Sequence, residues 1–309
     1  MIATLLIGSL VTVAVYQIGL RLLPWATQRK VRHLTTYGMG YLGSLLAIIP
    51  LVLLVAYLVK AGGPGLNWTF LTAAEKPVGQ PGGGFANAIV GSGIIILLAS
   101  LVGVPIGLLA GIYLAEVGKG WFAATIRFLA EVLTGLPSII AGILAYTLFV
   151  MHLRNVPGWS NFNGVAGALA LCFLMIPVIT RVTEEAIRMV PNHLREASMG
   201  LGVGQWRTVW HVVLPAARSG ILTGVVLAIA RVGGETAPLL FTTLGTREIV
   251  SDPRQAMGAL PLSIYFGAGS PSDLNVQLAI TGALFLVIWI ALVNIGIRWL
   301  SILTQPRLG

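Results

Sequence analysis

Long apolar runs recur along this chain of 309 residues, and they limit what it can fold into. Each approaches or exceeds the roughly 20 residues that a helix needs to cross the hydrocarbon core of a bilayer. They lie at residues 2–20, 38–59, 86–115, 126–151, 165–182, 221–244 and 276–300. Charged residues make up only 9% of the chain, against roughly 25% in soluble domains. The sequence therefore predicts an all-α, polytopic bundle of about seven transmembrane helices.

The apolar runs and the segments between them divide the chain into three predicted parts. Residues 1–36 hold a first span and a basic linker with Arg29, Lys30 and Arg32. Residues 37–85 hold a second span and an external loop rich in glycine and proline, and residues 86–305 hold the main bundle. Because the charges follow the first apolar run, the opposite of a secretory signal, we interpret that run as an uncleaved anchor.

The distribution of Lys and Arg predicts the orientation of the chain. If the polar segment between the spans near 182 and 221 is cytoplasmic, thirteen of the 19 basic residues lie inside and five outside, with Arg231 within a span. This bias follows the positive-inside rule and predicts an external N-terminus and a cytoplasmic C-terminus. The net charge of +9 therefore indicates membrane topology rather than nucleic-acid binding.

Small residues and prolines within the spans indicate closely packed, bent helices. Gly103, Gly107 and Gly111 recur every four residues, so one helix face allows a neighbouring backbone to approach closely. The predicted spans contain prolines, among them Pro105, Pro137, Pro177 and Pro238. Because each removes a backbone hydrogen bond, we expect protein or a water-filled path around these bends.

The span 221–244 contains two charged residues, Arg231 and Glu235, at a spacing of four. A charge inside a span costs about 2.5–3.5 kcal/mol on insertion scales, so it needs a partner or an aqueous path. One interpretation is an ion pair along one helix face. The other is that Arg231 meets a translocated oxyanion, which a guanidinium binds bidentately, while Glu235 holds the arginine in place. Ser138, beside the Pro137 bend, is a further candidate donor to an oxyanion.

A second group of charges lies where the fifth span reaches the cytoplasm. Arg181, Glu184 and Glu185 are spaced for salt bridges at a helix end, and the alternative is an inner gate. Glu131 is predicted to pair with Arg127 four residues earlier.

The polar segment 191–215 is predicted to form two short amphipathic helices that meet at a glycine turn, residues 202–204. In the second helix an apolar stripe is expected at Trp206, Val209, Trp210 and Val213. A surface stripe of this kind needs a membrane surface or another protein to cover it.

The motifs of soluble enzymes are missing from the sequence. No G-x-x-x-x-G-K-[ST] run occurs, so the chain is not expected to bind ATP. The four histidines have no metal-ligand spacing, and no nucleophile–base pattern stands out. We therefore expect no catalytic residue, no metal and no cofactor in this chain.

The segment 191–215 also carries a recognisable motif. Glu196-Ala197-Ser198, then Gly202, then Leu214-Pro215 resemble the EAA loop of ABC importer permeases, with Ser198 where the family has alanine. The resemblance implies a MetI-like, type I importer fold. It also implies that this loop is a coupling helix that docks on an ATP-hydrolysing subunit, with Glu196, Ala197 and Gly202 at the contact.

Further blocks narrow the resemblance. GLPSIIAG at 135–142, PVITRVTEEAIRMVPNHLREAS at 177–198 and RVGGETAPLL at 231–240 resemble phosphate-specific ABC permeases, and GETAPLLFTT and DPRQAMGALPLSIY resemble their PstA-type member. The resemblance implies phosphate import by alternating access, with Arg231, Glu235 and Thr236 along the pathway. It implies a PstC-like permease, a PstB-like ATPase dimer that binds ATP-Mg, and a PstS-like binding protein at the external loops 61–85 and 245–275. The span 2–20 has no counterpart in the family.

Other functions stay open at this point. The chain could be an ABC permease for sulfate or molybdate, or the PstC-type partner. A proton-coupled secondary transporter would use Glu235 or Glu131 as a relay and would need no ATPase. A membrane scaffold without a pathway would tolerate loss of Arg231.

Overall fold

The computed structural model describes residues 25–153 and 155–303, and every regular element within these ranges is a helix. The first predicted span, 2–20, lies outside the described residues. The helices are α1 (Trp25–Gly62), α2 (Trp68–Thr72), α3 (Ala86–Glu116), α4 (Gly120–Gly135), α5 (Ser138–Leu153), α6 (Gly164–Arg188), α7 (Asn192–Gly200), α8 (Gln205–Gly233), α9 (Ala237–Thr242), α10 (Leu260–Ala268) and α11 (Asp273–Leu303).

Five of the described helices are long and apolar enough to cross a membrane, namely α1, α3, α6, α8 and α11. The pair α4 and α5 adds a sixth if it is counted as one bent span. The predicted runs 38–59, 86–115, 165–182 and 276–300 each coincide with one long helix. The all-α transmembrane bundle is confirmed.

The predicted span 126–151 is sharply bent at Pro137, where the sequence predicts a bend. α4 ends at Gly135, α5 begins at Ser138, and the two helices meet at 107°. Leu136 between them is extended, with ψ 134°, because a following proline disfavours the helical conformation and Pro137 has no N–H to donate. Pro105 and Pro177, by contrast, lie inside uninterrupted helices.

The predicted span 221–244 is also interrupted. α8 ends at Gly233, and residues 234–236 lead into the short helix α9. Pro238 lies in the first turn of α9, where its missing N–H would have had no helical partner. It therefore starts a helix rather than bending one, contrary to the prediction.

The glycine stripe of α3 packs directly on α6, as predicted. A Cβ added at Gly107 would lie 2.7 Å from the Cβ of Ile179, and one at Gly111 would lie 2.6 Å from the Cβ of Thr183. Only glycine permits this approach of the two backbones. The third member, Gly103, has more room, with Met175 3.5 Å away.

The described residues form two compact units, one ending at Tyr57 and one beginning at Leu58. In the first unit, the side chains of α1 are almost all exposed. In the second, α6 contacts α3, α4, α5, α8 and α9. Some 61% of its span is buried, against 22–28% for α3, α8 and α11, so α6 is the central helix of this unit.

Both long segments predicted as external loops contain a helix. Within 61–85, α2 is capped by Asn67, whose side chain accepts a hydrogen bond from the N–H of Phe70. Within 245–275, α10 buries Leu260 and Leu262. These helices are too short to give a clear periodic pattern of apolar residues in the sequence.

Candidate functional site

A cavity of about 540 Å³ opens between α4, α6 and α8. The side chains that line it are both apolar and charged. The lining residues are Glu131, Thr134, Gly135, Val178, Arg181, Val182 and Arg231. The bend after α4 places Gly135 at the cavity, and the central position of α6 places Arg181 there.

The charged residues of the cavity are two arginines and one glutamate. Arg181 donates a hydrogen bond to Glu131 and forms an ion pair with it. Arg231 is exposed, and its guanidinium makes no hydrogen bond or ion pair with any described residue. The cavity therefore carries one uncompensated positive charge on a guanidinium, a group that binds oxyanions bidentately.

The predicted partnership of Arg231 with Glu235 is not formed. α8 ends two residues after Arg231, and the N–H of Gly234 turns back to the carbonyl oxygen of Arg231. The two side chains consequently do not share a helix face, and Glu235 has no ion partner among the described residues. Glu235 lies outside the cavity lining, so its predicted role in holding Arg231 has no support in this arrangement.

The other two predicted pathway residues lie beside the helix breaks. Ser138 is the first residue of α5, and Thr236 is the N-cap residue of α9; both are partly buried. One turn after Ser138, a Cβ at Gly142 would lie 2.8 Å from the Cα of Pro238. The structure thus brings the two helices into contact, although neither Ser138 nor Thr236 lines the cavity.

Glu184 is the centre of a separate charge cluster. It accepts a hydrogen bond from Arg127 at 2.8 Å and forms an ion pair with Arg188 at 2.8 Å. The predicted pair Arg127–Glu131 is wrong, because the packing of α4 on α6 places Arg127 against Glu184 and Arg181 against Glu131. The helix-end salt bridge at Glu184 forms with Arg188 rather than with Arg181. Glu185 is exposed and unpaired among the described residues.

The segment 191–215 begins with α7 and turns into α8 at Gly202. Gly202 has φ +81°, a conformation that favours glycine, and a Cβ there would meet nothing. Glu196 and Ala197 are exposed, whereas Ser198 is buried and its hydroxyl lies 2.9 Å from that of Thr208. This hydrogen bond gives the departure from alanine at position 198 a structural reason.

The predicted apolar stripe of the second helix is divided. Val209 and Val213 are fully buried, while Trp206 and Trp210 are more than half exposed. A π turn over Val209–Val213 shifts the side-chain register, because it has more residues per turn than an α-helix.

The predicted end of the second helix is wrong. α8 continues through Leu214 and Pro215 to Gly233. Leu214 is partly buried and Pro215 is exposed. The π turn directly before Pro215 rearranges the backbone hydrogen bonds where the proline lacks an N–H, so the helix is not broken.

Arg195 is a functional candidate that the sequence reasoning missed. It donates hydrogen bonds to Glu116 at the end of α3 and to two backbone carbonyl oxygens at the end of α6. Arg195 lies inside α7, seven residues after the end of α6, so no local capping pattern in the sequence signals this contact.

The two long segments predicted to be external are tied together around Glu75. Ser263 of α10 donates a hydrogen bond to its carboxylate at 3.2 Å, and Arg247 lies 4.0 Å away. Asn87 accepts from the N–H of Glu75 and donates to the carbonyl oxygen of Thr246. Burial raises the pKa of Glu75, and the hydrogen bond from Ser263, the charge of Arg247 and the contact with Asn87 oppose this.

The cavity and the segment 191–215 lie within a region that is shared with known proteins. Residues 103–308 match the family described as the binding-protein-dependent transport system inner membrane component. The chain belongs to this family. It is therefore a multi-pass inner-membrane permease of the ABC importer class.

Relatives in several bacteria cover most of the chain. A protein of Yersinia pestis named phosphate transport system permease protein PstA is 42% identical over 241 residues, 78% of this chain and 80% of the relative. A PstA of Xylella fastidiosa is 39% identical over 274 residues, 88% of this chain and 93% of the relative. A PstA of Mycobacterium leprae is 35% identical over 277 residues, 88% and 89% of the two chains.

Solved structures share the fold. A subunit of the MetNI methionine ABC transporter in an inward-facing conformation covers 71% of this chain and 94% of its own length, with a TM-score of 0.53 and 19% identity. A chain of a bacterial ABC transporter that imports the acidic polysaccharide alginate covers 87% and 98%, with a TM-score of 0.55 and 14% identity. The fold is thus that of MetI-like importer permeases.

Proposed function

We propose that this chain is the PstA-type permease subunit of an ABC importer for inorganic phosphate. The observation that carries the proposal is the identity of 35–42%, over 78–88% of the chain, to relatives that bear this name. The cavity of α4, α6 and α8 agrees with it, because it presents an unpaired guanidinium suited to a tetrahedral oxyanion.

In this proposal, phosphate contacts Arg231 and Arg181 as it passes the cavity. When the cavity is empty, Glu131 neutralises Arg181, and an entering anion competes with that carboxylate. Competition keeps binding weak, and weak binding suits a protein that must release its cargo. Ser138, Glu235 and Thr236 stay candidates for the part of the pathway beside the two helix breaks.

The partners we propose follow the composition of such importers. A PstC-like permease completes the membrane domain, and a PstB-like ATPase dimer binds ATP-Mg and contacts Glu196, Ala197 and Gly202. A PstS-like binding protein delivers phosphate to the segments 61–85 and 245–275. This chain itself binds no cofactor. The N-terminus lies outside and the C-terminus in the cytoplasm, in accordance with the basic residues counted above.

The test is uptake of radiolabelled phosphate in cells that lack this gene but express the partner subunits. We expect wild type to restore ATP-dependent uptake that excess sulfate does not inhibit. Arg231→Ala removes charge-assisted hydrogen bonds worth about 1.5–3 kcal/mol, so uptake should fall about 10–100-fold. Arg231→Lys should restore only part of it, because an ammonium does not bind bidentately.

The matched control is Arg29→Ala. Arg29 is an exposed arginine of α1, outside the cavity and outside the segments assigned to partner proteins. It should leave uptake near the wild-type level, with membrane abundance measured for every variant. If sulfate or molybdate, rather than phosphate, is imported, the cargo is wrong. If Arg231→Ala at normal abundance transports like wild type, the pathway does not pass Arg231.

A further inference from the structure

Helix α7 is attached to the membrane helices at more than its chain connection with α6. Two of its side chains make polar contacts with other helices. One of these helices, α8, follows α7 after a turn, and the other, α3, is distant in sequence. Ser198 contacts Thr208 of α8, and Arg195 contacts Glu116 of α3. A displacement of α7 therefore reaches three membrane helices at once.

The Arg195–Glu116 bridge is well defined. The Nη2 and Nε atoms of Arg195 donate to the same Glu116 oxygen, Oε1, at 2.9 and 3.3 Å. Its Nη1 donates to the carbonyl oxygen of Val190 at 2.6 Å, and its Nη2 also donates to that of Ile187 at 2.9 Å. One guanidinium thus joins the last residue of α3 to one carbonyl group in the last turn of α6 and one just beyond it.

Both members of this bridge are withdrawn from solvent. The side chains of Arg195 and Glu116 are 18% and 8% exposed, the lowest combination among the ion pairs of the described residues. A buried pair with its remaining donors satisfied stays together, since either charge alone would be costly. Glu116 also needs a cation because it lies at the negative end of the α3 dipole.

The contact between α3 and α6 does not by itself fix their relative position along the helix axes. It consists mainly of the glycine face of α3 against side chains such as Ile179 and Thr183, with one buried hydrogen bond from Cys172 to the carbonyl oxygen of Ala99. Such a contact resists overpacking but offers few directional hydrogen bonds against sliding. Two arginines supply directional restraint at one end of the helix pair. Arg127 of α4 donates to the carbonyl oxygen of Leu114 on α3 and to Glu184 on α6. The Arg195 bridge is the tie that also includes α7.

We propose that Arg195 is a positioning residue that makes α3 follow the coupling helix α7 during the transport cycle. This inference rests on the proposed function, since it assumes an ATPase that moves α7. ATPase motion at Glu196 and Ala197 passes through Arg195 to Glu116, and α3 moves with α6 and α8 rather than lagging behind them. Breaking the bridge leaves ATP hydrolysis intact but makes it less productive.

The test uses the full transporter reconstituted in proteoliposomes with its binding protein, and it measures phosphate uptake and ATP hydrolysis together. Glu116→Gln keeps the shape of the side chain but removes its charge, and Arg195→Lys keeps the charge but removes the two-sided contact. We expect each to lower phosphate imported per ATP hydrolysed about tenfold, the factor by which losing one charge-assisted hydrogen bond shifts an equilibrium. ATP hydrolysis stimulated by the binding protein should stay within about twofold of wild type, a change of less than about 0.5 kcal/mol, because the proposed ATPase contact at Glu196 and Ala197 is unchanged.

Glu185→Gln is the matched control, because Glu185 is an exposed and unpaired carboxylate near the end of α6. Its ratio of uptake to hydrolysis should equal that of wild type. A purely structural role for the bridge predicts a different result, in which uptake and hydrolysis fall in parallel with the amount of assembled transporter.

Three results would overturn the inference. One is an unchanged ratio in both bridge variants, and another is a parallel loss of uptake and hydrolysis. The third is failure of both variants to assemble, which would make the bridge a requirement for folding rather than for coupling. If the wild-type complex itself imports no phosphate, the proposed function is wrong and the inference fails with it, a result distinct from the other three.

Discussion

The contact between α3 and α6 can be tested by the same substitution at three glycines on one face of α3. Gly103, Gly107 and Gly111 share that face, but the space at each differs. An added Cβ would lie 3.5 Å from its nearest neighbour at position 103, 2.7 Å at 107 and 2.6 Å at 111. The same substitution, glycine to alanine, should therefore have opposite effects along one stripe.

The magnitudes follow from two opposing contributions. Replacing glycine by alanine in a helix interior stabilises it by about 0.5–1 kcal/mol through lower unfolded-state entropy. At Gly111, however, the helices must move apart by about 0.8 Å to bring a 2.6 Å contact to the ordinary 3.4 Å. The carbonyl oxygen of Thr180, 2.7 Å away, is backbone and cannot rotate aside. Overpacking of this kind costs about 1–3 kcal/mol, so Gly111→Ala should be destabilising and Gly103→Ala neutral or stabilising.

The assay is thermal unfolding of the assembled transporter in detergent, with phosphate uptake as a second measurement. Gly111→Ala and Gly107→Ala should lower the melting temperature by a few degrees, at about 2–4 °C per kcal/mol for a chain of this size. Gly103→Ala should leave it unchanged or raise it. Uptake should fall only where the melting temperature falls.

Two results would refute this reasoning. If Gly111→Ala melts and transports like wild type, the two helices are farther apart in the membrane than the structure has them. If Gly103→Ala is as damaging as Gly111→Ala, the available space does not determine the effect, and the glycines serve some other purpose.

Two further predictions concern groups outside this contact. Because burial raises the pKa of Glu75, the folded protein retains a proton that the unfolded chain loses, so stability should fall as pH rises from about 4.5 through the folded-state pKa. Glu75→Gln should flatten this fall in melting temperature, and an unchanged pH profile would show that Glu75 is not its source. Asn163→Ala removes the buried cap of α6, which accepts from Ala166 at 2.8 Å, and should cost about 1 kcal/mol or more in unfolding free energy. Asn67→Ala, at the exposed cap of α2, should cost less; equal losses would contradict the role given to burial.

The features predicted well from the sequence are those that one helix determines alone. Long apolar runs specify spans, because a bilayer accepts few other solutions. The glycine spacing of α3 specifies a close contact, although not its partner; that Ile179 and Thr183 of α6 fill it depends on the whole bundle. The positive φ of the turn at Gly202 likewise agrees with a glycine in the motif.

The features predicted poorly are those that depend on two helices. Arg127 and Glu131 are well spaced for a pair on α4, yet each binds a residue of α6 instead. Local spacing offers only a few tenths of a kcal/mol to such pairs, so tertiary packing decides among them. For a similar reason, the sequence predicts the bend at Pro137 but not its size, and it does not predict the break after Gly233. Proline and glycine are tolerated within spans in some contexts, as Pro177 is in α6, and disrupt them in others.

The central position of α6 has a consequence for how the protein is made. α6 is largely enclosed by other helices and carries Glu184, so it is unstable in lipid by itself. The ribosome completes α3 before it begins α6, about 50 residues earlier and hence several seconds ahead at ordinary rates of synthesis. The glycine face of α3 is therefore already in the membrane when α6 emerges. Substitutions that fill this face should act first on biogenesis, by leaving the newly inserted α6 without a partner, before they act on transport.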